Sequence, residues 1–405
     1  MAAPSGFCDV TFQQAAYAAS ATMNHHDLLF HQLAEAHEDR GDLGAGGVRL
    51  RAQLAVRTLN QALTNGPLHR GDGPRTDVGS VRKQMTISAF SDELAQVRTK
   101  KKEFLTQIER IVPWKEWLCL IQPCYYKGER GNKPYPLETM LRLYLLQNLY
   151  DLSDEATVAE VIDSRTFSDF CGIDSSNQVP DGDTRGRFRN LLIKNGLQEK
   201  LFSQVVAALM ERGLIPKKGT IVDSTIISAP SSTKNKEKKR DPDAHQVKKG
   251  NTWHFDYKAH IGVDRDSGLV HTVEATAANV HDATETSKLL TGDEDEVYGD
   301  SGYLGAEKRD DAIIRNKAGR KIKYRINRRP SQVKKPSKSG QYAAKKAEHA
   351  KSSVRAKVEH AFGVVKKQLR FRKTRYRGLE KQSAKFNIMF ALANLILADS
   401  PCLAA

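Results

Sequence analysis

Three acidic residues sit where a fold would hold them against one another. Asp223 follows the apolar run Ile221-Val222, Asp300 follows Val297-Tyr298-Gly299, and Glu359 lies within Arg355-Ala-Lys-Val-Glu-His-Ala-Phe-Gly-Val-Val-Lys366. A carboxylate on a strand central in a sheet is costly unless it is paired or binds a cation. Two strand acids and one helical acid form the donor set of two-metal phosphoryl transfer. In that chemistry two cations roughly 3.5–4 Å apart assist the attacking and leaving oxygens of an in-line displacement. Hard oxygen ligands select Mg²⁺ or Mn²⁺ rather than structural zinc or an iron–sulfur cluster. Taken singly, each Asp also reads as a strand-end cap or turn residue.

Glu359 has its own ordinary reading. On one helix, position −4 lies about 40° and position +7 about 20° around the axis from Glu359. Arg355, Glu359 and Lys366 therefore share a face, and Val358, Phe362 and Val365 lie on another. An isolated helix of this kind would carry a solvated Arg355–Glu359 pair. Beside a metal site, Arg355 and Lys366 would hold the phosphates of the strand being cut.

The elements that must position these residues show in the periodicity. From Phe90 to about Leu214 the pattern is helical: Leu137, Met140, Leu141, Tyr144, Leu145 and Leu149 recur in steps of three and four, as do Leu201, Phe202, Val205, Val206 and Leu209. At Gly219 the period changes to two. Thr220-Ile221-Val222 opens a strand, and Trp253, Phe255, Tyr257, Ala259, Ile261 and Val263 alternate up to a turn at Asp266-Ser267-Gly268 and a return through Leu269, His271 and Val273. A short helix around 283–290, a strand at 296–298 and one long helix from about 343 to 369 complete a mixed α/β order. Residues 1–84 are rich in Ala, Gly, His and Arg with weak periodicity and read as a poorly structured extension, with Met85 as an alternative start.

The 405 residues allow two or three domains. The net charge of +16 is concentrated, since residues 315–381 hold 24 Lys and Arg against three Glu and leave −5 for the rest of the chain. That segment points to a polyanion. The basic stretches 234–240 and 315–351 flank two of the three acids, with Lys234, Lys236, Lys238, Lys239 and Arg240 in the first. Among the interleaved aromatics, Tyr324, Tyr342, Phe371 and Tyr376 are candidates to stack on unpaired bases. Five scattered cysteines without a C-x-x-C pair fit a reducing cytoplasm. The longest apolar stretch, 386–398, contains Asn387 and Asn394 and is short of the roughly 20 residues of a membrane span.

From Met85 onward the chain resembles the insertion-sequence 5 family of bacterial DDE transposases. The resemblance rests on Lys133-Pro-Tyr-Pro-Leu-Glu-Thr-Met-Leu-Arg142, the segment 219–237 around Asp223, Lys249-Gly-Asn-Thr-Trp-His-Phe255, Lys258-Ala-His-Ile-Gly-Val-Asp264, Thr276-Ala-Ala-Asn-Val-His-Asp282 and Arg355-Ala-Lys-Val-Glu-His360. It implies an RNase H-like catalytic domain over 216–400 with a basic insert around 315–351, preceded by a helical DNA-binding and assembly domain over 85–215. It also implies that Asp223, Asp300 and Glu359 are the metal ligands, holding two Mg²⁺ or Mn²⁺ ions, and that Arg355 and Lys366 belong to the signature around the last acid. That signature normally begins with a Tyr where this chain has Ser352. The expected activity is cleavage of an element's terminal inverted repeats and joining to target DNA, by an oligomer acting in the bacterial cytoplasm on the nucleoid. A catalytically inactive DNA-binding remnant and a metal-dependent nuclease of the same fold are the alternatives.

Other residues weigh less. Asp264 reads as a hairpin-turn residue rather than an acid of the triad. His254, His260, His271 and His281 lack metal-ligand spacing and read mainly as neutral strand histidines. Asn279, His281 and Asp282 are candidates to support the acids or touch substrate. The run Asp293-Glu-Asp-Glu296 reads as a solvated loop.

Overall fold

The computed structural model describes residues 98–127, 133–234, 238–333 and 338–400. The expected N-terminal extension, Met85 and Lys236 lie outside them. The helical segment opens with α1 (Lys100–Ile111), whose Thr99 cap accepts from the Lys102 amide, and α2 (Trp114–Ile121). There follow α3 (Leu137–Leu149), α4 (Asp154–Asp163), α5 (Arg165–Cys171), α6 (Gly182–Lys194) and α7 (Leu197–Glu211). Ser153 and Asp181 cap α4 and α6 with side-chain oxygens, the usual way of satisfying first-turn amides. The apolar stripe read along α3 is only part of what is buried. Leu143, Leu146, Gln147 and Asn148 are inside too, because neighbouring helices wrap it.

The sheet has six strands: β1 (Gly219–Ser228), β2 (His245–Lys249), β3 (Thr252–Asp264), β4 (Val270–Ala277), β5 (Glu296–Gly299) and β6 (Lys323–Ile326). Strand β3 pairs antiparallel with β1, β2 and β4, while β1, β5 and β6 run parallel. This mixed sheet flanked by helices has the RNase H-like plan. Strict alternation in β3 predicts one wet face, yet from Asp256 onward every residue is buried, so both faces of its inner half are covered. The basic stretch at 315–351 contains Lys323–Ile326, which form β6 and pair with β5 at the end of the strand order. Of its aromatics, Tyr324 bonds through its hydroxyl to the Ile313 carbonyl, and Tyr342 is 74% exposed.

After β4 come the short α8 (Thr286–Leu289) and, beyond β6, α9 (Pro330–Val333), α10 (Lys338–Arg355), α11 (Val358–Gly363) and α12 (Leu379–Ala398). Helix α12 is buried along most of its length, packed against α7 and β4, so that one apolar core runs from Leu105 to Ala398 through both helical segment and sheet. Within it Asn394 is fully buried. Its side chain accepts from the Val270 amide at 2.9 Å and donates to the Val270 carbonyl at 2.7 Å, satisfying backbone groups of β4. Phe371 also belongs to this core, and Tyr376 lies under the Arg189 guanidinium at 4.1 Å, so neither is placed to stack on a base. No helix among the described residues is long and apolar enough to cross a membrane.

Candidate active site

Strand β1 carries Asp223 out of a run of four buried residues. The parallel register pairs Thr220 with Val297 and Ile221 with Tyr298, and two further steps set Asp300 beside Asp223. Asp300 ends β5 and caps a short turn, its Oδ1 accepting the Gly302 amide at 2.8 Å. The Asp223 side chain is 13% exposed; its Oδ1 accepts the Ser224 amide at 2.8 Å and its Oδ2 accepts Arg355 Nη1 at 2.8 Å. Burial pushes the Asp223 carboxyl up to about 6. The Ser224 amide and the Arg355 charge work against that rise, and the neighbouring Asp300 and Glu359 charges add to it. Asp300 and Glu359 thus both act electrostatically on Asp223.

The long helix expected over 343–369 is broken. At 355–360 the backbone tightens to i→i−3 bonds, with Lys357 N donating to Val354 O and Glu359 N to Ala356 O. Lys357 explains the break, since its Nζ donates to the carbonyls of Arg265 and Asp266 and ties the chain to the β3–β4 turn. Beyond α11 the helix widens to a π segment over Val364–Gln368. The shared face drawn on an unbroken helix is therefore replaced by separate attachments. Arg355 reaches Asp223, Lys366 Nζ donates to the Ile226 carbonyl of β1 at 3.1 Å, and Glu359 is exposed without an ion pair among the described residues. The solvated Arg355–Glu359 pair does not form. Ser352 is exposed, its Oγ accepting from Asn327 Nδ2 at 3.1 Å.

Of the three residues marked after the hairpin, only Asp282 is drawn to the acids. Its Oδ1 accepts from Ser224 Oγ at 2.9 Å and Lys258 Nζ at 3.0 Å, and Lys258 Nζ also donates to the Val280 carbonyl at 2.7 Å. Asn279 is exposed, and His281 caps a turn by accepting the Ala283 amide. Ser224, Lys258 and Tyr303 carry no candidate role in the sequence, and His260 reads there only as a strand histidine. The signal for Lys258 and His260 was their place on the face of β3 that pairs with the site strand. Burial pushes His260 and His271 down to about 4, so both are neutral, as strand histidines are expected to be.

Asp264 is indeed a turn residue: its Oδ1 accepts the amides of Asp266 and Ser267 and its Oδ2 that of Lys217. The acidic run 293–296 is not simply solvated. Glu294 is fully buried and accepts from Thr220, Thr291 and Gly292, while Glu296 pairs with Arg265 and Arg325.

Lys234, Lys238 and Arg240 line the exposed connection from β1 to β2, with the Arg240 guanidinium over the Phe255 ring at 5.6 Å. Among the described residues no three His, Cys, Asp or Glu side chains form a ready-made metal cage. The donors nonetheless suit a hard divalent cation. They are carboxylate oxygens whose repulsion and burial at Asp223 a cation would relieve, and Gly302 lets Asp300 Oδ1 come so close that a Cβ there would stand only 2.9 Å from it.

Residues 215–395 match the model of the Transposase DDE domain. This segment is similar to transposase DDE domains. Residues 92–191 match a second model, described as Transposase domain (DUF772). No solved structure matches the chain. The DDE domain begins just before β1 and ends within α12, so it contains all three acids, and the second match spans α1 to most of α6. Both matches are to transposase domains, which implies DNA binding.

Proposed function

We propose that the protein is a transposase of the insertion-sequence 5 family that cuts the terminal inverted repeats of its element and joins the freed ends to target DNA. The observation that supports this reading is the parallel register of β1 and β5, which runs toward Asp223 and Asp300, with both Asp300 and Glu359 within electrostatic reach of Asp223. Asp223, Asp300 and Glu359 hold two Mg²⁺ or Mn²⁺ ions, which when bound supply charge stabilisation for the attacking and leaving oxygens. Arg355 leaves Asp223 to clamp a phosphate of the cut strand. Lys366, fixed at β1, and the lysines and arginine at 234–240, Lys239 and Lys236 included, neutralise the DNA backbone. Cleavage and joining use one site because both are in-line displacements at phosphorus. The helical segment over 85–215 contacts the element's ends and builds the oligomer that brings two ends together, on nucleoid DNA in the bacterial cytoplasm.

A second reading, a DNA-binding remnant without turnover, is favoured by Ser352 in place of the signature Tyr. A third, a nuclease of the same fold, shares the acids but makes no joined product. The deciding experiment is a Mg²⁺ or Mn²⁺ cleavage and strand-transfer assay on the gene's own flanking DNA, with Asp223→Ala and Glu359→Gln beside the wild type. Joined product from the wild type, absent in both variants despite retained DNA binding, supports the transposase. Cleavage without joining supports the nuclease, and binding without cleavage supports the remnant.

A further inference from the structure

A fourth carboxylate faces the same space as Asp223 and Asp300. Asp282 opens the turn that follows β4, and its two oxygens are used unequally. Oδ1 is saturated by Ser224 Oγ and Lys258 Nζ, whereas Oδ2 accepts no hydrogen bond among the described residues. A Cβ placed on Gly302 would stand 3.4 Å from that Oδ2 and 2.9 Å from Asp300 Oδ1. The two oxygens therefore converge on one gap, which glycine alone leaves open.

A second observation points into the gap. The Tyr303 side chain is fully buried and its hydroxyl has no hydrogen-bond partner. Ser224 and the carboxylates of Asp282, Asp223 and Asp300 are its polar neighbours. Buried donors are nearly always satisfied, and a donor aimed at a cluster of acids is satisfied when an oxygen is delivered there. Lys258 supplies the compensating charge. Its ammonium, 8% exposed as a residue, lies 3.0 Å from Asp282 Oδ1 and occupies only that one of its oxygens.

We propose that Asp282 and Tyr303 belong to the cation site of the DDE domain, Asp282 as a fourth acid facing Asp300 and Tyr303 as a donor to an oxygen held between them. This rests on the reading of Asp223, Asp300 and Glu359 as cation ligands. Lys258 and Ser224 are positioning residues, acting through Asp282.

The test is Mn²⁺ titration of the full chain without DNA, bound metal being read by electron paramagnetic resonance and folding by circular dichroism. Asp282→Asn is expected to weaken Mn²⁺ binding at least tenfold, in the manner of Asp300→Asn, and Tyr303→Phe severalfold. Lys258→Met, which leaves Asp282 in place without its positioning partner, weakens it less than Asp282→Asn does. If Asp282→Asn does not fold because Lys258 is left unpaired, the double variant Lys258→Met, Asp282→Asn removes that charge and carries the same expected loss. A folded Asp282 variant with wild-type affinity, beside an Asp300→Asn that loses it, overturns this inference alone. A wild type that binds no Mn²⁺ overturns both it and the reading beneath it.

Discussion

The guanidinium of Arg355 lies 2.8 Å from Oδ2 of Asp223, across 132 residues of chain. Arg355 thereby stands in for a cation at an acid that burial disfavours. On the function proposed above, the same side chain could not at once neutralise Asp223 and clamp a phosphate, so loading the site and engaging DNA would be coupled through it.

Arg355→Gln therefore changes the two affinities in opposite directions. Without the competing charge, Mn²⁺ binds about tenfold more tightly, whereas the DNA affinity falls and its salt dependence loses about one unit of slope. Calorimetric Mn²⁺ titration and DNA binding across a salt series check this. Weaker binding of both would show that Arg355 merely holds the fold.

Acid sensitivity follows from the two buried imidazoles. His260 and His271 sit at about 4 in the folded chain against an ordinary value of 6.5, so the unfolded chain takes up protons first as the pH falls. Their neutral forms cost nothing above pH 6.5, and stability is lost as the pH drops from 6.5 toward 4. Between pH 7 and 5 each contributes a loss on the order of 2 kcal/mol. The Asp223 carboxyl, held up at about 6, offsets part of this. His271→Gln removes one share, and urea unfolding at the two pH values should show the wild-type loss shrinking by about 2 kcal/mol in the variant.

Gly262 on β3 leaves no space for a side chain. A Cβ there would lie 2.5 Å from the Leu289 carbonyl oxygen and 2.8 Å from His271 Cε1. The first neighbour is backbone and cannot swing aside, so Gly262→Ala is expected to destabilise by about 2–3 kcal/mol or more, at the upper end of overpacking costs. Gly186→Ala, in α6, meets only the end of Arg189 and serves as the tolerated comparison in thermal unfolding.

Asn394 offers a case in which greater hydrophobicity harms. Asn394→Leu makes α12 more apolar but strips the Val270 amide and carbonyl of their partners. Each buried orphan costs about 1–3 kcal/mol, so the variant should lose roughly 2–5 kcal/mol in chemical denaturation. An unchanged midpoint would mean that β4 finds other partners.

The alternation from Trp253 to Val263 and the apolar run before Asp223 made the site strands legible, since a period of two leaves few alternatives. The apolar steps along α3 and α7 were equally plain. The break at Ala356–Lys357 was not, because nothing in the local sequence stops a helix there. The cause is Lys357 bonding to carbonyls some ninety residues away. Glu294 was misread for a related reason: four charges in a row look solvated until the loop folds its own amides around one of them. Tyr303 and Lys258 are ordinary residue types whose interest lies only in what surrounds them after folding. Phe371 and Tyr376, read as surface aromatics amid basic residues, are packed inward because α12 and α6 cover them.

Helix α12, last of the described elements, is a wall common to the helical bundle and the sheet. A premature stop codon anywhere before position 379 would strip both at once of the surface they bury. No stable half-protein would then accumulate from such a gene. Truncated genes are expected to yield degraded chains rather than a folded helical segment that competes with the intact protein.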